Sequence, residues 1–127
     1  MVQSVDSIKL LDEIGKHKTT KTKVLLQVNI GKEEQKNGFF PDNFEKTVEK
    51  MKVFDTIDIL GLMCIPPKDR CPKEYFLGMY DLYQRLKENL LPNMKYLSMG
   101  MSGDFEMAIE CGSNMVRVGS CIFGPRI

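Results

Sequence analysis

Apolar residues along the chain alternate between short continuous runs and longer stretches with helical spacing. The continuous runs lie at residues 24–30, 57–65, 94–98 and 115–119, and polar residues, glycine or proline bound them. Short runs of this kind are typical of strands, and the nearly all-apolar run 57–65 is expected of a strand covered on both faces. Residues 1–5 have the composition of a strand end. The pattern therefore predicts four full strands and the remnant of another.

Helical spacing characterises the stretches between these runs. The first is carried by Ile8, Leu11 and Ile14, and the second by Phe44, Val48 and Met51. The third begins at Pro72 and ends before Pro92, and we expect its apolar side to hold Phe76, Met79, Tyr80, Tyr83, Leu86 and Leu90. A shorter helix is predicted over residues 103–111. Strands alternate with helices throughout, which favours the α/β class with a parallel sheet.

The number of strands suggests an incomplete molecule. Four strands and a remnant make up about half of an eight-stranded barrel. A closed barrel has no sheet edges, whereas half of one leaves two edges unpaired. We therefore also expect the face that would line the barrel interior to be bare, and self-association through the open half-barrel is one way to cover it.

Length, charge and cysteine usage narrow the class of protein. A chain of 127 residues makes one domain at most, and its net charge of +1 gives no reason to expect nucleic acid or a membrane as partner. No apolar run approaches the ~20 residues of a membrane span. The start of the chain lacks the pattern of a signal peptide, which favours a cytoplasmic protein. The four cysteines and one histidine do not have zinc-site spacing, so we expect reduced, mostly buried thiols.

Two similar turns follow the last two predicted strands. Met101-Ser102 and Gly119-Ser120 each combine small or hydroxyl residues with a segment that is compatible with a helix. Because the carboxyl ends of parallel strands meet at one edge of a sheet, we expect both turns to supply backbone N–H groups to one phosphate. Alternatively, the serines only cap helices. Asn29, at another strand end, either faces the same mouth or is an ordinary strand-end polar residue.

These turns also carry a family resemblance. The segments 98–105 and 116–124 resemble the C-terminal signature of the pyridoxal-phosphate homeostasis proteins, single-domain barrels similar to the N-terminal domain of alanine racemase. Further matches lie upstream, in family order, at Ser4-Val5-Asp6-Ser7, Gln27-Val28-Asn29 and Gly61-Leu62-Met63. The resemblance implies that residues 1–127 are one partial domain, the later half of a (β/α)8 TIM-type barrel. The chain would run from the end of strand four through strand eight.

The resemblance also implies a cofactor, pyridoxal 5'-phosphate. It assigns phosphate binding to the two turns, with Met101, Ser102, Gly119 and Ser120 as binding residues, and contact with the ring nitrogen to Arg117. Alternatively, Arg117 is a structural arginine paired with a carboxylate. The family's Schiff-base lysine lies on the first strand, which this chain does not contain. None of the lysines in the chain has an apolar setting that would lower its pKa, so we predict no covalent site.

Three functions remain open at the level of the sequence. The first is a non-catalytic module that binds pyridoxal 5'-phosphate and takes part in vitamin B6 homeostasis. The second is a fragment of a racemase-like enzyme that uses the same cofactor. The third is a half-barrel interaction protein without cofactor. Because the chain ends soon after Phe123-Gly124, the sequence favours the non-catalytic module.

Overall fold

Five parallel strands form a single sheet in a computed structural model of the chain, which describes residues 1–16, 21–34, 36–67 and 72–117. The sheet follows the chain order, β1-β2-β3-β4-β5, so that each strand pairs with the next one in sequence. The strands are β1 (Val2–Val5), β2 (Thr22–Gln27), β3 (Ile57–Met63), β4 (Tyr96–Met101) and β5 (Met115–Arg117).

Helices connect the strands and complete the α/β pattern. They are α1 (Ile8–Lys16), α2 (Phe44–Met51), α3 (Lys73–Asn89) and α4 (Phe105–Glu110). The strands and alternating helices form a curled half-barrel, as the sequence predicts. Among the helices of the described segments, none is long and apolar enough to cross a membrane.

The main hydrophobic core lies between the sheet and the helices. All four helices contribute to it, through buried side chains such as Leu11, Val48, Met79 and Ala108. The predicted apolar side of α3 is correct at Phe76, Met79, Tyr83 and Leu86, which are buried, and Leu90 is partly buried against the core. The prediction is wrong at Tyr80, which is 38% exposed, while Leu82 is buried in the same helix. Tyr80 instead lies against Gly112, where an added Cβ would meet its ring.

A second, smaller cluster lies on the other face of the sheet. Leu25, Leu60 and Met63 form it together with the partly buried Tyr96 and Met115. The expectation of a bare inner face is wrong for these positions, since Leu25, Leu60 and Met63 are at most 6% exposed. The register between β2 and β3 shifts after Val24, as is typical of a β-bulge.

Several boundaries differ from the predicted ones. The run 24–30 is a strand only to Gln27. Val28 still donates its N–H to the Met63 carbonyl of β3 at 2.8 Å, and it also forms an isolated bridge with Phe39. Proline favours the first turn of a helix, so Pro41 predicts a start near residue 41, but the second helix begins at Phe44, after Asn43 in a left-handed conformation. The last strand covers Met115–Arg117 in the described segments, and the remainder of the predicted run 115–119 lies outside them. The helix-compatible segment that follows Gly119-Ser120, residues 121–124, lies outside the described residues, and so do Gly119 and Ser120.

Candidate functional site

The carboxyl ends of β3, β4 and β5 bring together the polar groups predicted from the sequence. Ser98 on β4 pairs with Met63 on β3 and with Met115 on β5. Arg117 lies two residues after Met115 and therefore on the same face of β5, because side chains alternate along a strand. A long side chain at that position reaches back across the neighbouring strands.

The Arg117 guanidinium bridges three strands. Its Nη1 donates to the hydroxyl oxygen of Ser98 at 2.8 Å, and its Nη2 donates to the backbone carbonyl of Cys64 at 3.0 Å. Both acceptors are uncharged, and no carboxylate of the described segments lies within ion-pair distance of the guanidinium. Within those segments, the alternative of a structural arginine paired with a carboxylate is therefore wrong.

Burial dominates the electrostatics of this site. Removal from water lowers the pKa of Arg117, while the nearby Cys64 and Asp104 act in the opposite direction. Burial also raises the pKa of the Cys64 thiol from 9.0 to about 12, although the positive charge of Arg117 opposes that shift. An arginine side chain remains protonated at neutral pH even when it is desolvated. The site therefore combines a persistent positive charge with a neutral thiol.

The expectation of buried reduced cysteines is confirmed at Cys64 and Cys111.

The turn after β4 is organised by Asp104. Its side-chain Oδ1 accepts the backbone N–H of Met101 at 2.7 Å, and its own N–H donates to the Met101 carbonyl at 3.0 Å. The Met101 amide, a predicted phosphate donor, thus already donates to a carboxylate of the same chain. Ser102 and Gly103 lie inside this turn, between the two anchored residues. A cleft of about 310 Å³ borders the turn, and its walls include Ile65, Pro67, Met101 and Asp104.

Gly100 sets the position of this turn against the helix that follows. Its φ of +104° lies in the region that only glycine adopts readily, and a Cβ there would lie 2.7 Å from the Cβ of Ala108. Absence of a side chain at Gly100 therefore lets α4 pack closely on the end of β4. The turn 101–104 is held at the edge of the sheet as a result.

Asn29 serves the local structure of its loop. It is only 5% exposed, and its Nδ2 donates to the carbonyls of Glu33 at 2.6 Å and Lys36 at 3.2 Å. Its Oδ1 accepts the backbone N–H of Glu33 at 3.1 Å. These contacts confirm that Asn29 is a strand-end polar residue that organises the loop.

The lysines near the carboxyl edge form ion pairs on the surface. Lys36 lies 3.0 Å from the Glu33 carboxylate, and Lys32 lies 2.9 Å from that of Asp42. Among the residues covered by the structure, no three histidine, cysteine or acidic side chains form a metal-ion site.

Two residues gain a role that the sequence argument did not assign. Both lie in the segment 98–105 that carries the family resemblance, and Asp104 also lies in the helix predicted over residues 103–111. Period-two alternation would have placed Ser98 on the face of β4 that carries small or polar residues, together with Gly100. The contact of Asp104 with the Met101 amide depends on turn geometry and is not readable from residue types.

Comparison with known proteins supports the predicted family. The chain is 38% identical over 132 residues to the pyridoxal phosphate homeostasis protein of Aquifex aeolicus, covering 99% of this chain and 58% of that protein. It therefore spans little more than half the length of that relative, and the match corresponds to the C-terminal half.

Solved structures agree with this assignment. An unknown protein from Bifidobacterium adolescentis superposes with a TM-score of 0.88 at 33% identity, and the match covers 95% of this chain and 51% of that protein. PipY of Synechococcus elongatus, in a structure with pyridoxal phosphate bound, gives a TM-score of 0.78 at 28% identity. That match covers 96% of this chain and 59% of PipY. The sequence model of the alanine racemase N-terminal domain matches residues 1–126, and the chain therefore belongs to that family.

Proposed function

We propose that this chain is a non-catalytic binding module for pyridoxal 5'-phosphate that takes part in vitamin B6 homeostasis. The observation that carries the proposal is the Arg117 guanidinium, which is held by Ser98 and the Cys64 carbonyl where three strands end. A partly buried cation with neutral partners retains its capacity to bind a ligand acceptor. The names of the relatives and the PipY structure with bound cofactor support the same ligand.

We propose that residues of this chain contact the two polar ends of the cofactor. Arg117 would donate to the ring nitrogen, and a donor that stays charged favours the unprotonated nitrogen. Ser102, Gly119 and Ser120 would hold the phosphate. The Met101 amide belongs to the proposed set, although its bond to Asp104 would have to be exchanged for one to the phosphate.

The bound cofactor supplies an aldehyde that reacts with amines. We propose that this chain holds the cofactor reversibly, without a Schiff base to a lysine. Lys32 and Lys36 are engaged in surface ion pairs, and Lys23 lies at the amino end of β2. The proposal places residues 1–127 in the barrel from the end of strand four through strand eight. It also places the protein in the cytoplasm, which cell fractionation with a specific antibody tests.

Titration of the purified chain with pyridoxal 5'-phosphate, followed by absorbance, tests the function. Borohydride reduction and intact-mass measurement then report any covalent adduct. We expect saturable binding without an adduct, and we expect Arg117→Gln and Ser102→Ala each to weaken it by about tenfold. Arg85→Gln is the matched control, because Arg85 forms ion pairs with Glu45 and Asp81 on the helices. A folded chain that shows no saturable binding contradicts the proposal, and a single reduced lysine adduct contradicts its non-covalent part.

A further inference from the structure

We infer that Ser98 is a positioning residue that fixes the orientation of the Arg117 guanidinium toward the ring of a bound ligand. The inference rests on the proposed function and assigns a role to a residue outside the predicted binding set. Ser98 is completely buried, and its hydroxyl oxygen accepts the Nη1–H of Arg117 at 2.8 Å. A buried hydroxyl on a strand otherwise rich in apolar residues requires such a partner.

The sheet itself holds Ser98 in place. Its carbonyl accepts the backbone N–H of Cys64 at 3.1 Å, and it pairs in register with residues of both neighbouring strands. The Cys64 carbonyl in turn accepts the Nη2–H of Arg117 at 3.0 Å. One acceptor on β4 and one directly after β3 therefore fix the orientation of the guanidinium plane. The remaining N–H groups of the guanidinium point in directions set by that plane, because the group is rigid and planar.

The two acceptors differ in whether a mutation can remove them. A backbone carbonyl is present whatever residue stands at position 64, whereas the hydroxyl at position 98 depends on serine. Ser98→Ala removes one of the two acceptors without adding volume. We expect the guanidinium to keep its charge but to lose its fixed orientation. The ring contact should weaken as a result, while phosphate binding at the turns remains.

A second buried serine provides a matched control. Ser113 is 7% exposed, and its hydroxyl lies 2.7 Å from the Met99 carbonyl and 3.0 Å from that of Met115. It thus stabilises the same β4–β5 region without touching Arg117. Ser113→Ala should cost stability but leave the guanidinium in place.

Nitrogen-15 NMR of the arginine side chains in the full chain tests the inference directly. The Arg117 signals are assigned by their loss in Arg117→Lys, and their hydrogen exchange and guanidinium rotation are compared between variants. We expect slow exchange and slow rotation in the wild type and in Ser113→Ala, and faster values for both in Ser98→Ala. Unchanged Arg117 signals in Ser98→Ala overturn the inference, and so does equal loosening in Ser113→Ala.

Ligand binding gives a second readout. Ser98→Ala should weaken pyridoxal 5'-phosphate binding by about tenfold but change the affinity for inorganic phosphate by less than about twofold. In an Arg117→Gln background, Ser98→Ala should cause no further loss, since the two residues act as one unit. Additive losses overturn the inference. If the wild type binds no pyridoxal 5'-phosphate, the proposed function fails, and the NMR comparison still decides the role of Ser98.

Discussion

At the scale of single residues, the site depends on positions where only one side chain fits. Gly100 combines a φ of +104° with a close approach of Ala108. Gly100→Ala should lower the free energy of unfolding by about 2–4 kcal/mol, because a strained backbone and an overpacked contact add together. Urea denaturation measures this loss. Gly103→Ala is the control, since nothing lies within 4 Å of its added Cβ and its change should stay within about 0.5 kcal/mol. Similar losses at both positions would contradict this account of Gly100.

The thiol of Cys64 makes stability depend on pH in the alkaline range. Its pKa is raised from 9.0 to about 12 in the folded chain, chiefly by burial, so folding opposes its ionisation. The stabilisation is fully present below pH 9 and is lost as the pH rises toward 12. Over that window the wild type should lose up to ~1.4 kcal/mol per pH unit more than Cys64→Ala does. Urea denaturation at a series of pH values measures the difference, and parallel curves would show that Cys64 ionises as easily in the folded state.

At the scale of elements, residue patterns predicted the order of strands and helices and most of their buried sides. Periodicity identified Phe76, Met79 and Leu86 because burial of a helix face repeats along the sequence. It misassigned Tyr80, whose place depends on Gly112 in a distant turn. In the candidate site, the family resemblance indicates Arg117, but its acceptors, Ser98 on β4 and the Cys64 carbonyl after β3, depend on register, which no local pattern encodes. The hydrogen bond from the Met101 N–H to the Asp104 carboxylate likewise depends on the geometry of the turn, which no local pattern encodes.

The loop after β2 shows how one side chain can organise an element. Asn29 makes three hydrogen bonds to loop backbone groups, so Asn29→Ala leaves those groups without their partner. We expect a loss of about 1–3 kcal/mol in the free energy of unfolding and faster cleavage after Lys32 and Lys36 by a lysine-specific protease. Asn37→Ala, at an exposed position of the same loop, is the control. Unchanged cleavage in Asn29→Ala would mean that the loop is ordered by other contacts.

At the scale of the whole molecule, the half-barrel leaves two strands with one neighbour each. In the described part of the sheet these are β1 and β5, and both run in the same direction as the strands between them. A second copy can therefore place its β1 beside β5 of the first, and a twofold axis along the barrel repeats that contact at the other edge. Leu25, Leu60 and Met63 of the inner face are already buried, so edge hydrogen bonds more than apolar area should drive this association.

Sedimentation equilibrium over a range of protein concentrations tests whether such pairs form. We expect a reversible dimer of moderate affinity, because two short strand edges bury less apolar surface than an obligate interface does. Ser4→Lys introduces a charge at an exposed position of β1 and should shift the equilibrium toward the monomer, since charged side chains on an edge oppose strand addition. Asn93→Lys adds the same charge in the connection between α3 and β4 and should leave the equilibrium unchanged. A monomer at every concentration would show that the exposed edges of β1 and β5 do not pair between copies, and equal effects of both lysines would indicate charge repulsion instead of edge pairing.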